Sequence, residues 1–205
     1  MRIVKKSAER RQEIVSAAKE LFMKKEYEKT TMQDVMDKVN IAKGTIYHYF
    51  NSKEELLEAV VLDTADEYLA KLQADLKGMK GNALERIRHL ISSGQVANEQ
   101  RELIEDLHKS GNIGLHTRLL AVTISKMAPL YGAIIEQGCK EGLFKTEHPL
   151  ECAEFLLAGI QFLTDVGFNP WSNEDLARRA RAIPSLVETQ LHAPKGSFSF
   201  LCNPK

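Results

Sequence analysis

Hydrophobic residues recur along almost the whole chain at the three- and four-residue spacing of an α-helix. The first such stretch covers residues 7–25, and its apolar face consists of Ile14, Ala17, Ala18, Leu21 and Phe22. Later stretches cover residues 53–79, 82–93, 99–109, 115–141, 149–168 and 173–191. We find no segment with the two-residue alternation of a strand. The pattern predicts an all-α protein.

Two short segments follow the first helix. Residues 32–39 are preceded by Thr31, and Asp34 lies three positions after that threonine, which is the spacing of a capping box. A turn over residues 39–42 separates this segment from KGTIYHYF at residues 43–50. A short helix, a tight turn and a second short helix are typical of a helix-turn-helix within a three-helix domain.

The helix spacing divides the chain into three parts. Residues 1–52 form the predicted helix-turn-helix domain, and a capping box of Ser52 and Glu55 begins the long helix at residue 53 that connects it to the rest. Residues 53–192 form a larger helical domain, and residues 193–205 an irregular tail without helical spacing. Pro129 and Pro184 lie inside predicted helices, where we expect a kink or a break.

Charge is unevenly distributed although the net charge of the 205 residues is zero. Residues 1–50 carry 11 Lys and Arg against 7 Asp and Glu, a net charge of +4, and the remaining 155 carry 17 against 21, a net charge of −4. This difference fits a domain that binds a polyanion, and on charge alone it fits chance equally well.

The composition favours a cytoplasmic protein without a membrane segment. No apolar run is long enough to span a bilayer, and the basic N-terminal residues are followed by no apolar segment of a secretory signal. Cys139, Cys152 and Cys202 are too few and too widely spaced for a disulfide framework, which indicates a reducing compartment.

The octapeptide KGTIYHYF has the chemistry of a DNA-contacting helix. Ile46 and Phe50 lie four residues apart and are expected to face inward, which leaves lysine, threonine, histidine and tyrosine donors on the outside. Thr31 and Lys53 begin neighbouring helices, where phosphates bind readily. Each tyrosine also fits simple packing, and Thr31 and Ser52 also fit capping alone. The residues that we expect to contact DNA are Thr31, Lys43, Gly44, Thr45, Tyr47, His48, Tyr49 and Lys53.

Residues 11–57 resemble the DNA-binding domain of TetR/AcrR-type transcriptional regulators. GTIYHYF and SKEELL carry the resemblance most closely. The chain departs from the family pattern at Glu26, where a glycine is common, and at Met36 and Asp37, where alanines are common. Asn40 replaces the glycine of the turn, and asparagine tolerates the left-handed backbone that such a turn requires.

The resemblance implies a role for each matching position. Lys43, Thr45, His48 and Tyr49 correspond to residues that contact bases or the adjacent backbone, and Gly44 allows close approach. The positions that correspond to phosphate contacts are Thr31, Tyr47 and Lys53.

For the second domain, the resemblance implies dimerisation and an effector pocket. A homodimer would form through residues 149–168 and 173–191 and bind double-stranded DNA at a palindromic operator. A small-molecule effector would release it, which describes a repressor, although the fold suits an activator as well. Candidate pocket residues bring polar groups or aromatic walls, and each also fits an ordinary core or surface position: His108, His116, Tyr131, Phe162 and Trp171.

Two other functions are compatible with a helical chain. A protein of the same fold could bind only a protein partner and no DNA, and a helical enzyme is the third alternative. The sequence contains no nucleophile motif, phosphate loop, HExxH or paired-carboxylate pattern, so we expect neither an enzyme nor a cofactor. His89, His108 and His116 have the wrong spacing for a metal site on one helix.

Overall fold

The computed structural model describes residues 7–93, 113–166 and 170–202, without the side chains of residues 93, 113–116 and 119. These residues form α-helices and one 3-10 turn and contain no strand, so the predicted all-α class is confirmed. The helices are α1 Ser7–Lys25, α2 Met32–Val39, α3 Lys43–Tyr49, α4 Lys53–Lys77, α5 Ala83–Ser93, α6 Ile113–Lys140, α7 Pro149–Thr164 and α8 Asn173–Leu191. The 3-10 turn is Ser199–Leu201. None of the helices in these ranges is both long and apolar enough to cross a membrane.

The helix ends differ from the predicted ones at several places. α4 ends at Lys77 rather than residue 79, and α7 ends at Thr164 because Asp165 takes an extended conformation. The predicted helix at residues 99–109 lies outside the described residues. α6 continues through Pro129 and α8 through Pro184, so the expected breaks do not occur. The packing of the surrounding turns outweighs the one hydrogen bond that each proline removes.

The chain forms two compact units, and the division lies within α4. Of the described residues, 7–67 and 113–119 form the first unit, which we call the head. Residues 68–93, 120–166 and 170–202 form the second unit, which we call the body. The head extends beyond the predicted domain end at residue 52, because Leu56, Leu57 and Val60 of α4 are completely buried in its core.

The core of the head is closely filled by α1 to α4. Ile14 and Ala18 of α1 meet Val35 of α2 and Ile46 of α3 in one cluster of buried side chains. The rings of Phe22 and Tyr27 meet edge to face, with centroids 5.2 Å apart, where the chain turns from α1 to α2. Burying side chains of this size stabilises the unit by roughly 1.5–3 kcal/mol each.

The core of the body includes the end of the chain. We call residues 193–202 the C-terminal segment. Its Phe198 is 1% exposed and stacks on Phe144, with ring centroids 5.9 Å apart. The Phe198 N–H donates to Oε1 of the buried Glu188, at 3.0 Å. The predicted irregular tail therefore contains a 3-10 turn and is held in the core by an aromatic side chain and a hydrogen bond.

Candidate nucleic-acid interface and body cavity

The start of α2 is held by a capping box. Thr31 Oγ1 accepts the Asp34 N–H at 3.1 Å, and the Asp34 carboxylate accepts the Thr31 N–H at 2.8 Å. Lys25 donates to the same carboxylate at 2.9 Å. The Lys25 hydrogen bond, followed by those from Thr31, holds the pKa of Asp34 well below its usual range. The predicted capping box is confirmed, and the hydroxyl of Thr31 takes part in it.

The turn between α2 and α3 depends on one left-handed residue. Asn40 has φ 51° and ψ 54°, and its N–H donates to the Asp37 carbonyl at 3.3 Å. The next N–H, of Ile41, donates to the Met36 carbonyl at 3.1 Å. Asparagine tolerates this conformation better than most residues, so the turn forms without the glycine that the family commonly has there.

Helix α3 has one buried face and one exposed face. Ile46 is fully buried, as is Phe50, which follows the helix. Lys43, His48 and Tyr47 are exposed, and Tyr47 has 41% of its surface accessible.

The remaining α3 candidates differ in their exposure. Gly44 is exposed, and a Cβ added there would have no atom within 4 Å. Thr45 and Tyr49 are half-buried, and the Tyr49 ring meets the His48 ring with centroids 5.0 Å apart. The exposed face therefore presents Lys43, Gly44, Tyr47 and His48, and Thr45 and Tyr49 lie at its border.

Most lysines of the head are paired with carboxylates, and Lys43 is an exception. Lys24 and Lys38 both donate to Glu20 at 2.8 Å, and their hydrogen bonds lower its pKa to about 2. Within the described part of the head, Lys43 has no carboxylate partner, and its Nζ lies 5.8 Å from the centroid of the Tyr47 ring. Positive charge that no carboxylate neutralises therefore lies on the exposed face of α3.

Lys53 lies under the turn that joins α1 to α2. Its Nζ donates to the carbonyls of Tyr27 at 3.0 Å and Thr30 at 3.1 Å, and it is 4.1 Å from the centroid of the Tyr27 ring. Two of the three ammonium donors are therefore used within the head. In this structure the side chain has a stabilising role that its sequence position did not indicate.

The second predicted capping box is only half formed. Ser52 Oγ accepts the Glu55 N–H at 3.1 Å, as expected. The Glu55 carboxylate, however, accepts from the backbone N–H of Asn51 at 2.7 Å and from its side-chain amide at 3.0 Å. The asparagine offers two donors to one carboxylate oxygen, which explains why the reciprocal bond moves by one residue.

Glu26 adopts a left-handed conformation, with φ 65°. This is the position where the family commonly has glycine. The buried Thr30 donates its hydroxyl to the Glu26 carbonyl at 2.9 Å, and Lys29 pairs with the exposed carboxylate at 2.7 Å. The turn after α1 therefore forms even though Glu26 adopts a backbone conformation that is unfavourable for a residue with a side chain.

The body contains a cavity of about 380 Å³, lined by residues of α5 to α8 and of the C-terminal segment. Most lining side chains are apolar, and Met127, Leu156, Ile160 and Val187 are examples. The polar ones are Thr123, Tyr131 and Gln161, and none of the described lining residues is charged. Burial, with a smaller contribution from nearby Tyr68, raises the pKa of Tyr131 to about 12.

The structure brings one of the five pocket candidates to this cavity. Tyr131 lines it. Phe162 is 53% exposed on α7, and Trp171 lies before α8 with the Arg179 guanidinium 3.6 Å from its ring centroid; neither lines the cavity. Residue His108 and the side chain of His116 lie outside the described residues.

Two cavity residues, Phe198 and Leu201, belong to the tail that the sequence left without a role. The only signal for them was the apolar and aromatic character of SFSFL at residues 197–201. In the described ranges, no group of three or more His, Cys, Asp or Glu side chains is placed to hold a metal ion.

Known proteins match both units. Residues 14–60 match the family model described as "Bacterial regulatory proteins, tetR family", and residues 95–185 match the one described as "Tetracyclin repressor-like, C-terminal domain". Over 190 residues the chain is 22% identical to the HTH-type transcriptional repressor KstR2 of Rhodococcus jostii (strain RHA1), which covers 90% of this chain and 92% of KstR2.

A shorter match and a solved structure agree with these results. Over 72 residues the chain is 39% identical to the uncharacterized HTH-type transcriptional regulator YfiR of Bacillus subtilis (strain 168), a segment that spans 35% of each protein. The fold is similar to the crystal structure of a TetR-family transcriptional regulator from Pectobacterium atrosepticum, with a TM-score of 0.65, 20% identity, and coverage of 93% of this chain and 100% of that one. These relatives are regulators of transcription rather than enzymes. Because both its head and its body match in this way, the chain belongs to the TetR family of bacterial transcriptional regulators.

Proposed function

We propose that this regulator is a dimeric repressor that binds a palindromic operator through α3 and is released by a small-molecule effector held in the body cavity. The exposed face of α3 carries the proposal. It combines an unneutralised lysine with tyrosine and histidine donors, and Ile46 and Phe50 fix its opposite face in the core. A helix held in this way presents its side chains at constant positions to the major groove.

The chemistry of the exposed face suits both bases and backbone. On the exposed face, Lys43 can donate to guanine O6 and N7 or to phosphate, and His48 is a further donor. The half-buried Thr45 and Tyr49 can donate at the border of the face. Gly44 leaves open space beside the helix, so a DNA strand can approach the backbone closely. The exposed hydroxyl of Tyr47 is suited to a phosphate.

Two further phosphate contacts come from groups that also stabilise the head. Lys53 has one ammonium donor left after its two carbonyl bonds, so it can reach a phosphate without releasing the turn. Thr31 is exposed at the start of α2 while its hydroxyl bonds Asp34. We propose that Lys53 contacts a phosphate while it holds the turn before α2, and that Thr31 does so by turning its hydroxyl hydrogen from Asp34 to the phosphate.

Exposed apolar side chains on α7 and α8 support the dimer. Phe155 is 69% exposed, and Leu163 of α7 and Leu186 of α8 are also largely exposed. A second copy of the chain would bury these side chains in a symmetric interface. Such a dimer presents two α3 helices to half-sites about 34–36 Å apart, one turn of DNA.

The binding test is a gel shift with DNA selected from random sequence, at several salt concentrations. Lys43→Ala should weaken binding by roughly 1–3 kcal/mol and relax the preference at one base position. Lys24→Ala is the matched control, because that lysine is on α1 and pairs with Glu20. It should leave the affinity and the salt slope close to those of wild type.

The outcomes separate the proposal from its alternatives. Enrichment of a palindrome, lost in Lys43→Ala and kept in Lys24→Ala, supports a DNA-binding regulator with α3 as its reading helix. Failure to enrich any sequence, with binding undetectable at low salt, supports the alternative in which the fold binds only a protein partner. Equal losses in both variants would mean that general charge, and not α3, determines binding.

The dimer is tested separately by sedimentation. Phe155→Glu places a charge on the exposed face of α7 and should convert the dimer to a monomer without changing the helix content. Glu154→Gln, at the neighbouring exposed position, is the control. A dimer that persists in Phe155→Glu would show that another surface forms it.

A further inference from the structure

We infer that the effector is an uncharged, largely apolar molecule, and that the C-terminal segment forms the wall that holds it. This inference rests on the proposed function for the identity of the cavity as the effector site. It specifies the chemical class of the effector and gives the C-terminal segment a role in binding it.

The size of the cavity indicates a ligand site. Small-molecule sites in proteins are concave and mostly apolar, with a few polar groups that orient the ligand. The cavity measures about 380 Å³, within the roughly 300–1,000 Å³ of typical small-molecule sites. Its apolar lining would hold ordered water poorly, so an apolar ligand is the occupant that its chemistry favours.

The described residues of the lining disfavour a charged ligand. Among the described residues that line the cavity none is ionisable except Tyr131, and its pKa of about 12 keeps it neutral at physiological pH. A carboxylate or ammonium placed here would lose its hydration without gaining a partner of opposite charge. A neutral ligand loses much less hydration free energy on binding. The site therefore discriminates between ligands mainly by their charge.

The polar groups of the lining indicate a single acceptor on the ligand. The Tyr131 hydroxyl makes no hydrogen bond to another residue in the described part of the body. Because it remains protonated, it is available to donate to a hydroxyl, ether or carbonyl oxygen of the ligand. Thr123 and Gln161 add one hydroxyl and one amide to the lining.

The C-terminal segment contributes one wall of the site. Phe198 and Leu201 line the cavity, whereas Phe200, between them, lies with its ring centroid 4.9 Å from the Arg88 guanidinium carbon and does not line it. The segment is anchored by the Phe198 N–H bond to Glu188 and by the stack on Phe144. Removing the Phe198 ring should therefore open the cavity, and removing the Phe200 ring should not.

The test uses the full chain and the neutral fluorescent probe N-phenyl-1-naphthylamine, displaced by 1-decanol or by decanoate at neutral pH. Both competitors have the same carbon chain, and only decanoate is charged. We expect 1-decanol to displace the probe and decanoate to compete at least about tenfold more weakly. Tyr131→Phe should weaken the alcohol several-fold and leave decanoate unchanged.

The segment is tested with Phe198→Ala, the milder Leu201→Ala, and Phe200→Ala as the control. Either lining variant should weaken probe binding about tenfold, and the control should change it less than about threefold. Circular dichroism melts establish that each variant folds. If Phe198→Ala does not fold, Leu201→Ala alone tests whether the C-terminal segment forms a wall of the site.

Each contrary outcome would refute a defined part of the inference. Equal affinity for 1-decanol and decanoate would refute an uncharged ligand class. Equal effects of Leu201→Ala and Phe200→Ala would refute the role of the segment. If the wild-type protein does not bind the probe saturably, the cavity is not a ligand site.

Operator binding, measured by gel shift on the same samples without any competitor, reports the proposed function independently. Loss of DNA binding with intact probe binding would refute the proposed function and leave the ligand class in place. The reverse result would refute the cavity as a ligand site, and with it the effector part of the proposed function, and would leave the DNA-binding part in place.

Discussion

The head and the body of this regulator differ in how their cores are packed. The head packs the buried side chains of α1 to α4 into one cluster and places polar chemistry on an exposed helix face, whereas apolar side chains of the body line a cavity. In the head, residues that stabilise the fold and residues that face outward are neighbours on α3. In the body, the cavity is lined by side chains that also form the core. Stability and binding are therefore separable on α3 of the head and coupled in the body.

Two glycines express this difference. Gly138 of α6 faces the body core, and a methyl group added there would overlap the ring of Phe144 and approach Ala83 to 3.0 Å. Gly44 of α3 faces open space. The first glycine is required by packing, and the second is required only if something approaches α3 from outside.

The largest effect that we expect is on the stability of the body. Gly138→Ala forces out the Phe144 ring and with it the stacked Phe198, an overpacking effect that should cost about 3 kcal/mol or more. Urea unfolding followed by the fluorescence of Trp171, the single tryptophan, reports on the body. Gly44→Ala should leave this transition unchanged and weaken operator binding about tenfold. Comparable unfolding midpoints for the two variants would contradict the packing argument.

The next prediction separates two adjacent residues of α3. Ile46→Ala removes a fully buried side chain and should destabilise the head by about 2–5 kcal/mol. Tyr47→Ala removes an exposed one and should cost less than about 1 kcal/mol while reducing DNA affinity. Hydrogen exchange of the α1 and α2 amides measures the first effect and a gel shift the second. If Tyr47→Ala destabilised the head as much as Ile46→Ala, stability and binding would not be separable on α3.

Substitutions of Lys53 test whether one residue both stabilises the head and contacts DNA. Lys53→Met keeps the aliphatic chain over Tyr27 and removes both carbonyl bonds, which should destabilise the head by about 1–2 kcal/mol. A reduced salt slope, by about one unit, would show an additional phosphate contact. Lys53→Arg keeps a donor and is the control. A salt slope of DNA binding equal to that of wild type would show that Lys53 stabilises the turn and contacts no phosphate.

The smallest effect concerns Glu26, whose left-handed backbone disfavours any side chain. Glu26→Gly should stabilise the head by about 0.5 kcal/mol, since relief of the left-handed cost exceeds the extra entropy that glycine loses on folding. Glu26→Gln, which keeps a side chain at this φ, should not. Thermal denaturation of both variants measures the difference, and a less stable Glu26→Gly would refute the assignment of strain.

Helix spacing was enough to predict the fold class and the helix-turn-helix. The left-handed conformation of Asn40 was expected from the resemblance to the family, which commonly has glycine there. Helix spacing could not predict contacts that depend on distant residues. The bonds of Lys53 reach the turn at Thr30, and the burial of Phe198 depends on Phe144 and Glu188. Periodicity indicates which face of a helix is apolar but not whether a neighbour fills it. For this reason the predicted pocket residues include Tyr131, which lines the cavity, as well as Phe162, which does not.

The position of Phe198 also determines when each unit can fold during synthesis. The buried residues of the head cluster end at Val60, whereas the body needs Phe198 to complete its core. A ribosome adds roughly 5–20 residues per second, so the second event follows the first by about 7–28 s. In that interval the nascent chain carries a folded α3 beside an incomplete body. Under the proposed function, a new chain would therefore form its DNA-contacting surface well before it has a complete cavity through which an effector could control it.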